Sequence, residues 1–159
     1  LTGDGGYKDE DGYIFVMGRT DDVINVAGHR LSTGEMEELI GGHEAVAECA
    51  VLGIEDELKG QVPAGFVVLK DGYTIENDDL VPELVQIIRS NIGAIANFKQ
   101  AAIVKRLPKT RSGKILRKTI RSLADKGKAA IPSTIDDPAI LNEIKEILKQ
   151  RKIGVAFQN

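Results

Sequence analysis

The spacing of apolar residues changes several times along this chain, and each change marks an element. Met36, Leu39 and Ile40 recur at helical spacing behind Ser32-Thr33-Gly34-Glu35, a hydroxyl cap with an acid three positions on, and Gly41-Gly42 ends the run. Leu80, Leu84, Ile87, Ile88 and Ile92 form a second stripe, capped by Asn77 or Asp78, with Pro82 tolerable in the first turn and Gly93 as the stop. A third helix is expected over Ile115, Leu116, Thr119, Ile120 and Leu123, closed by Gly127. A fourth follows Asp137-Pro138 and carries Ile140, Leu141, Ile144, Ile147 and Leu148. Residues 46–53 and 65–70 have the β-branched character of strands, with Leu58-Lys59-Gly60-Gln61 in the connection, and residues 101–104 suggest one more. In the glycine-rich opening, residues 13–17 and 23–26 read as short strands of a β-meander, with a hairpin turn at Asp11-Gly12. This order of elements predicts an α+β fold, a small sheet covered by helices and preceded by that meander.

Composition sets the outer bounds. A chain of 159 residues that is 42% hydrophobic can bury a sizeable core. Its longest apolar stretches, residues 64–69 and 92–96, fall far short of the roughly 20 residues of a membrane helix, so no membrane partner is expected. Cys49 is the only cysteine, which excludes an intramolecular disulfide, and its setting in Ala47-Glu48-Cys49-Ala50-Val51-Leu52 suits a buried structural thiol. The chain opens on Leu1, and we read it as a piece of a longer protein.

Charge changes the picture. Between Lys99 and Lys128 stand eleven lysines and arginines against one acid, Asp125, although the whole chain carries a net charge of −3. Such asymmetry points to a polyanionic ligand on one face, or to a solvated basic helix. Its densest part is Pro108-Lys109-Thr110-Arg111-Ser112-Gly113-Lys114. There glycine allows close backbone approach, Ser and Thr donate hydrogen bonds, and Lys114 is a point charge on a flexible stem. A phosphate-loop reading fails because the glycine of that pattern, four residues before the Gly-Lys pair, is missing. A nucleic-acid-binding module without catalysis is the alternative, disfavoured by an aromatic content of 4% and the lack of a stacking residue among the cations. A second constellation, Gly18-Arg19-Thr20-Asp21-Asp22-Val23-Ile24-Asn25-Val26-Ala27-Gly28-His29-Arg30, brackets a short strand with charges and leaves Ala27-Gly28 without side-chain bulk. It suits either a surface for a thin ligand or an ordinary hairpin with salt-bridged ends.

Three segments in order, Thr2-Gly3-Asp4, Gly18 to Arg30 and Pro108 to Lys114, resemble the signatures of the adenylate-forming enzymes, and the similarity extends over nearly the whole chain. Gly28-His29-Arg30-Leu31, Lys59-Gly60-Gln61-Val62-Pro63 and Ser133-Thr134-Ile135-Asp136-Asp137-Pro138 look most like the acetate and propionate CoA ligases. The resemblance implies a mobile C-terminal domain over residues 21–159, preceded over residues 1–20 by the tail of a large N-terminal adenylation domain, its partner. It implies two half-reactions: carboxylate plus ATP to acyl-adenylate, then transfer of the acyl group to coenzyme A. Lys114 would be catalytic in the first. Asp4 and Arg19 would bind the nucleotide ribose, Arg30 its phosphates, and Asp21 would be the hinge. Ala27 and Gly28 would line the pantetheine path, and Arg89 would contact a CoA phosphate, although on sequence alone it equally suits a solvated helix face. Mg2+ would arrive with ATP, held mainly by the large domain. His43 matches a position near a metal in some relatives, but Glu44 follows it where proline is usual, so it reads as a helix-end residue. Lys114 would also be a target for a lysine acyltransferase and deacylase. A cytoplasmic setting, or the mitochondrial matrix in a eukaryote, follows from the same resemblance, and this chain alone is expected to have no turnover.

Overall fold

Strands of uninterrupted apolar residues need cover on both faces, and two of them organise this fold. In the computed structural model, which describes residues 4–8, 14–19 and 23–158, the first strands are β1 (Asp4–Lys8) and β2 (Ile14–Arg19). They pair only with each other, antiparallel, in a two-stranded sheet. Next come β3 (Val23–Val26), β4 (His29–Ser32), helix α1 (Thr33–Gly41), β5 (Val46–Asp56), β6 (Gly60–Leu69), α2 (Asn77–Asn91), β7 (Gln100–Ile103), α3 (Arg117–Lys126) and α4 (Ile140–Arg151). The second sheet has five strands in the order β4-β3-β6-β5, with β7 parallel to β6.

β6 is the hub. Along one edge it pairs with β5 over its whole length; along the other it meets β3 at Gly60 and β7 from Ala64 to Val67. One face, with Leu52, Ile54, Ala64 and Phe66, packs on α3 and α4 through Ile120, Leu123, Ile144 and Leu148. The other, with Val51, Val67 and Ala101, packs on α1 and α2 through Met36, Ile40, Leu80, Leu84 and Ile88. Ile24 lies so close to β5 on this second face that a Cβ on Gly53 would sit 2.3 Å from its side chain, so only glycine fits there. The free edge of β5 is covered by carboxylates from both helical layers. Val51 N–H donates to Glu37 of α1 at 2.8 Å and Glu55 N–H to Asp125 of α3 at 2.9 Å.

The α+β expectation stands, with local corrections. The opening is a two-stranded hairpin, and Val23–Val26 joins the large sheet; the Asp11-Gly12 turn lies outside the described residues. Gly60 and Gln61 belong to β6, because pairing runs down to Asp56↔Gly60. Asp56 makes this tight end possible by accepting from the N–H groups of Leu58 and Lys59 at 3.1 and 2.8 Å. Ser32 caps α1 through Glu35 N–H at 3.2 Å, as expected. Asn77 does not cap α2; its Oδ1 accepts from Ile103 N–H at 2.9 Å and ties the helix to β7. α3 begins at Arg117 because Ile115 pairs with Lys109 in an antiparallel bridge. α4 starts at Ile140, and Asp137 instead accepts from Ala139 N–H at 3.0 Å and holds Arg106. Among the described residues, no helix is long and apolar enough to cross a membrane.

Candidate functional site

Lys114 stands near the tip of a closed hairpin. Lys109 and Ile115 bridge its stem, and Thr110 N–H donates to the Lys114 carbonyl at 2.8 Å. Lys114 N–H donates to Thr110 Oγ1 at 3.1 Å, and the Thr110 and Ser112 hydroxyls lie 2.9 Å apart. Outside the stem, Thr110 pairs with Ile135, and Arg111 donates to the carbonyls of Thr134 and Ser133, both at 3.0 Å. Polar side chains that no packed element needs are thus used to make this hairpin stiff. The Lys114 side chain is exposed, and among the described residues its ammonium has no hydrogen-bond or ion-pair partner.

Neighbouring cations differ. Lys109 is held by Glu48 at 2.7 Å, and Arg117 grips Glu37 with its Nε and Nη2 at 2.8–2.9 Å. Arg106 is shared by Asp137, at 2.7 Å, and Glu143. The basic run is therefore in part a set of fasteners for loops and helices, while Lys99, Lys105, Lys126 and Lys128 are exposed.

Within the second constellation, residues 23–30 fold as part of a tight hairpin. β3 pairs with β4 from Val23↔Ser32 to Val26↔His29, and the connecting residues have positive φ, 50° at Ala27 and 86° at Gly28. Ala27 N–H donates to the Lys59 carbonyl at 2.9 Å, which anchors the turn to the β5–β6 end. A Cβ at Gly28 would meet nothing within 4 Å, so the bare backbone faces open space. Arg30 is exposed on β4.

Arg89 is exposed in the last turn of α2 and lines a cleft of about 210 Å³ together with Gly93, Asn97, Phe98 and Lys99. Lys99 was not legible as a site residue, since nothing in its neighbours sets it apart from the run it begins. The 94–99 segment leads into β7, whose Gln100 stands opposite Ala64, the fifth of the ten residues of β6. From Gly60, where β3 docks, to Ala64 is about 13 Å at ~3.3 Å per residue. The Ala27-Gly28 turn thus lies at one end of the sheet, four β6 residues from where the segment after Arg89 enters it. The Lys114 hairpin is fastened at the other, where Glu48 stands opposite Val68. Glu48 and Asp56 are eight residues apart on β5, so the two fastening points are about 26 Å apart at that same rise.

Other candidates resolve simply. Asp4 and Arg19 face each other as partners across β1 and β2, and Asp21 lies outside the described residues. His43 follows α1, where its Nδ1 accepts from Ala45 N–H at 3.0 Å while its Nε2 lies 3.3 Å from Glu83. One ring nitrogen therefore serves the turn after α1, and the other reaches α2. Cys49 is half-buried rather than fully buried. Its thiol donates to the Glu37 carbonyl at 3.3 Å and, through burial first and the Glu37 charge second, is pushed up to about 11. That keeps it a thiol at neutral pH.

Comparison with known proteins identifies the family. Residues 35–114 match the AMP-binding enzyme C-terminal domain family. The chain is 50% identical to an acyl-CoA synthetase short-chain family member B, mitochondrial, of Dictyostelium discoideum, over 96% of this chain and 22% of that protein. It is 45% identical to the propionate–CoA ligase of Escherichia coli K12, over 94% of this chain and 24% of that one. The solved anthranilate CoA ligase AuaEII, in complex with anthranoyl-AMP, superposes with a TM-score of 0.66 at 36% identity, covering 77% of this chain and 24% of that one. The chain spans about a quarter of the length of these curated relatives. None of them favours the nucleic-acid alternative, and the chain belongs to the family of C-terminal domains of AMP-binding, adenylate-forming enzymes.

Proposed function

We propose that this chain is the mobile C-terminal domain of an AMP-forming ligase that converts a short-chain carboxylate, propionate or acetate, to its CoA thioester. Residues 21–159 form that domain, and residues 1–20 are the end of the large N-terminal domain with which it works. One observation carries the reading: a lysine without a partner among the described residues and a bare glycine turn are fastened at opposite ends of one sheet. Two tips whose fastening points on β5 lie about 26 Å apart at strand rise do not share one reaction centre in a single pose. A domain that swings can present them in turn, and Asp21 is the assigned pivot.

In the first pose a carboxylate oxygen attacks the α-phosphorus of ATP, and pyrophosphate leaves. Lys114 brings a cation to negative charge shared by the carboxylate and the α-phosphate, and the stiff hairpin supplies it without reorganisation. Asp4 and Arg19, paired across β1 and β2, are assigned to the ribose, and Arg30 to the phosphates. In the second pose the CoA sulfur attacks the acyl carbon, AMP leaves, and the thiol proton passes to solvent. Ala27 and Gly28 wall the pantetheine path, where any side chain would intrude, and Arg89 meets a CoA phosphate from its cleft. Mg2+ would arrive with ATP and be held by the large domain; among the described residues no group of three or more His, Cys, Asp or Glu could hold a metal. The same exposure opens Lys114 to an acyltransferase, which would remove its charge. The setting is the cytoplasm, or the mitochondrial matrix in a eukaryote.

The test is to compare Lys114→Ala with the parent in the full-length protein, following each half-reaction separately. Acyl-adenylate formation should fall by about 10²–10³, the range seen when one transition-state donor is removed. Thioester formation from supplied acyl-adenylate should be little changed. Adenylation that survives at the parental rate would remove Lys114 from the role assigned to it.

A further inference from the structure

Among the described residues Lys114 has no side-chain partner, so its position depends on the hairpin stem, and the stem is fastened on both sides by ion pairs. Five residues before Lys114, Lys109 bonds Glu48 of β5 at 2.7 Å. Three residues after it, Arg117 bonds Glu37 of α1 through Nε and Nη2, a two-pronged contact at 2.8–2.9 Å. Glu37 also accepts Val51 N–H at 2.8 Å, so one carboxylate joins α1, the edge of β5 and the start of α3. Arg117 opens α3, whose first turn has no acid of its own. A cation at a helix N-terminus opposes the helix dipole, and the Glu37 carboxylate offsets that misplacement. The Arg117 and Glu37 side chains are 27% and 18% exposed, against 34% and 35% for Lys109 and Glu48, so the Glu37 arm is the better shielded from water and salt.

We infer that Glu37 is a positioning residue for adenylation, holding the Lys114 hairpin through Arg117, with Glu48 as the weaker second arm. This rests on the ligase reading. Losing either arm frees the stem to shift by a fraction of an ångström to an ångström, and displacements of that size cost up to about 10²-fold when a catalytic group must meet a reacting centre. The Gly28 turn is fastened at the far end of the sheet and does not feel the change.

Glu37→Gln isolates the effect, because glutamine keeps an oxygen for Val51 N–H while removing the charged partner of Arg117. In the full-length protein we expect acyl-adenylate formation to fall about tenfold and thioester formation from supplied acyl-adenylate to stay within about twofold, as one arm of the clamp remains. Glu48→Gln, at a more exposed pair, should give a smaller loss in the same half-reaction, and Glu37→Asp should recover part of the lost rate. Equal losses in both half-reactions would mean that Glu37 only supports the fold, and unchanged adenylation in both Gln variants would mean that the clamp does not position Lys114. Either result overturns the inference. A parent protein that forms no acyl-adenylate from any short-chain acid would overturn the ligase reading itself, and this inference with it.

Discussion

Substituting Gly28 separates conformational strain from obstruction, because the structure gives each a different size. At φ 86° any L-residue at this turn is in the left-handed region, at a cost of roughly 1–2 kcal/mol. A new Cβ meets nothing within 4 Å, so within this domain a larger side chain adds no clash to that cost. Gly28→Ala and Gly28→Leu should therefore unfold at nearly the same temperature. For a domain of this size both should fall about 2–8 °C below the parent, at ~2–4 °C per kcal/mol. Thermal unfolding by circular dichroism reads this directly. Function should divide what stability does not. In the full-length protein Gly28→Leu should leave acyl-adenylate formation within about twofold and slow thioester formation by about 10²-fold, since a displaced thiol cannot reach its attack geometry. Gly28→Ala should fall between the parent and Leu. Thioester rates that are equal for Ala and Leu would show that strain, not obstruction, is the operative effect, and parallel losses in both half-reactions would refute the assignment of this turn to the thiol step.

Arg89→Ala should raise the KM for CoA about tenfold without changing adenylation, the loss of about one charge-assisted contact; steady-state kinetics at varied CoA would show an unchanged KM if the cleft is not used. With its thiol at about 11, Cys49 should have about one molecule in a thousand ionised at pH 8. Its alkylation, followed by mass spectrometry, should rise about tenfold per pH unit to pH 10, and a plateau below pH 9 would contradict the burial argument. The Asp137 carboxyl is held below the usual carboxylate range, first by the Arg106 hydrogen bond and then by Ala139 N–H. A lowered folded value means that its contribution is present above the unfolded carboxylate range and is lost as pH falls through the folded one. Arg106→Ala should then lose less in Tm than the parent when pH drops from neutral to about 3, and an equal loss would argue against the pair.

Local signals carried most of the architecture into the sequence. The Ser32 cap, the stripe Leu80, Leu84, Ile88 and the stop at Gly127 are each written in adjacent residues, and each was realised. What was not legible depended on partners distant in sequence. Asn77 looks like a cap until β7 offers Ile103 N–H, and Ile115 looks helical until Lys109 comes back to pair with it. β4, with its exposed His29 and Arg30, has no apolar alternation to mark it, and exists because β3 needs a neighbour beyond the tight turn. Among the site residues, motif chemistry marked Lys114 and Gly28, whereas Glu37 and Lys99 carried no local mark. Glu37 acts through Arg117, eighty residues away, and no periodicity reports a contact of that span.

The basic segment shows why counting charge selects a region but not a residue. Pairing with a fixed carboxylate turns a cation into a fastener, whose field largely cancels beyond its partner, whereas a cation with no partner keeps its full charge for a ligand. Lys109 and Arg117 spend theirs on Glu48 and Glu37, Arg106 on Asp137 and Glu143, and Arg111 turns toward the Ser133 carbonyl. Lys114, between two of these fasteners on the same hairpin, is left exposed. A hairpin built to hold a long polyanion would show the reverse, with its own row of cations open and the acids elsewhere. Fixing the flanks and freeing the tip is instead what delivers one positive charge to one small anionic centre, and it makes the acids of α1 and β5 part of the same device as the lysine they never touch.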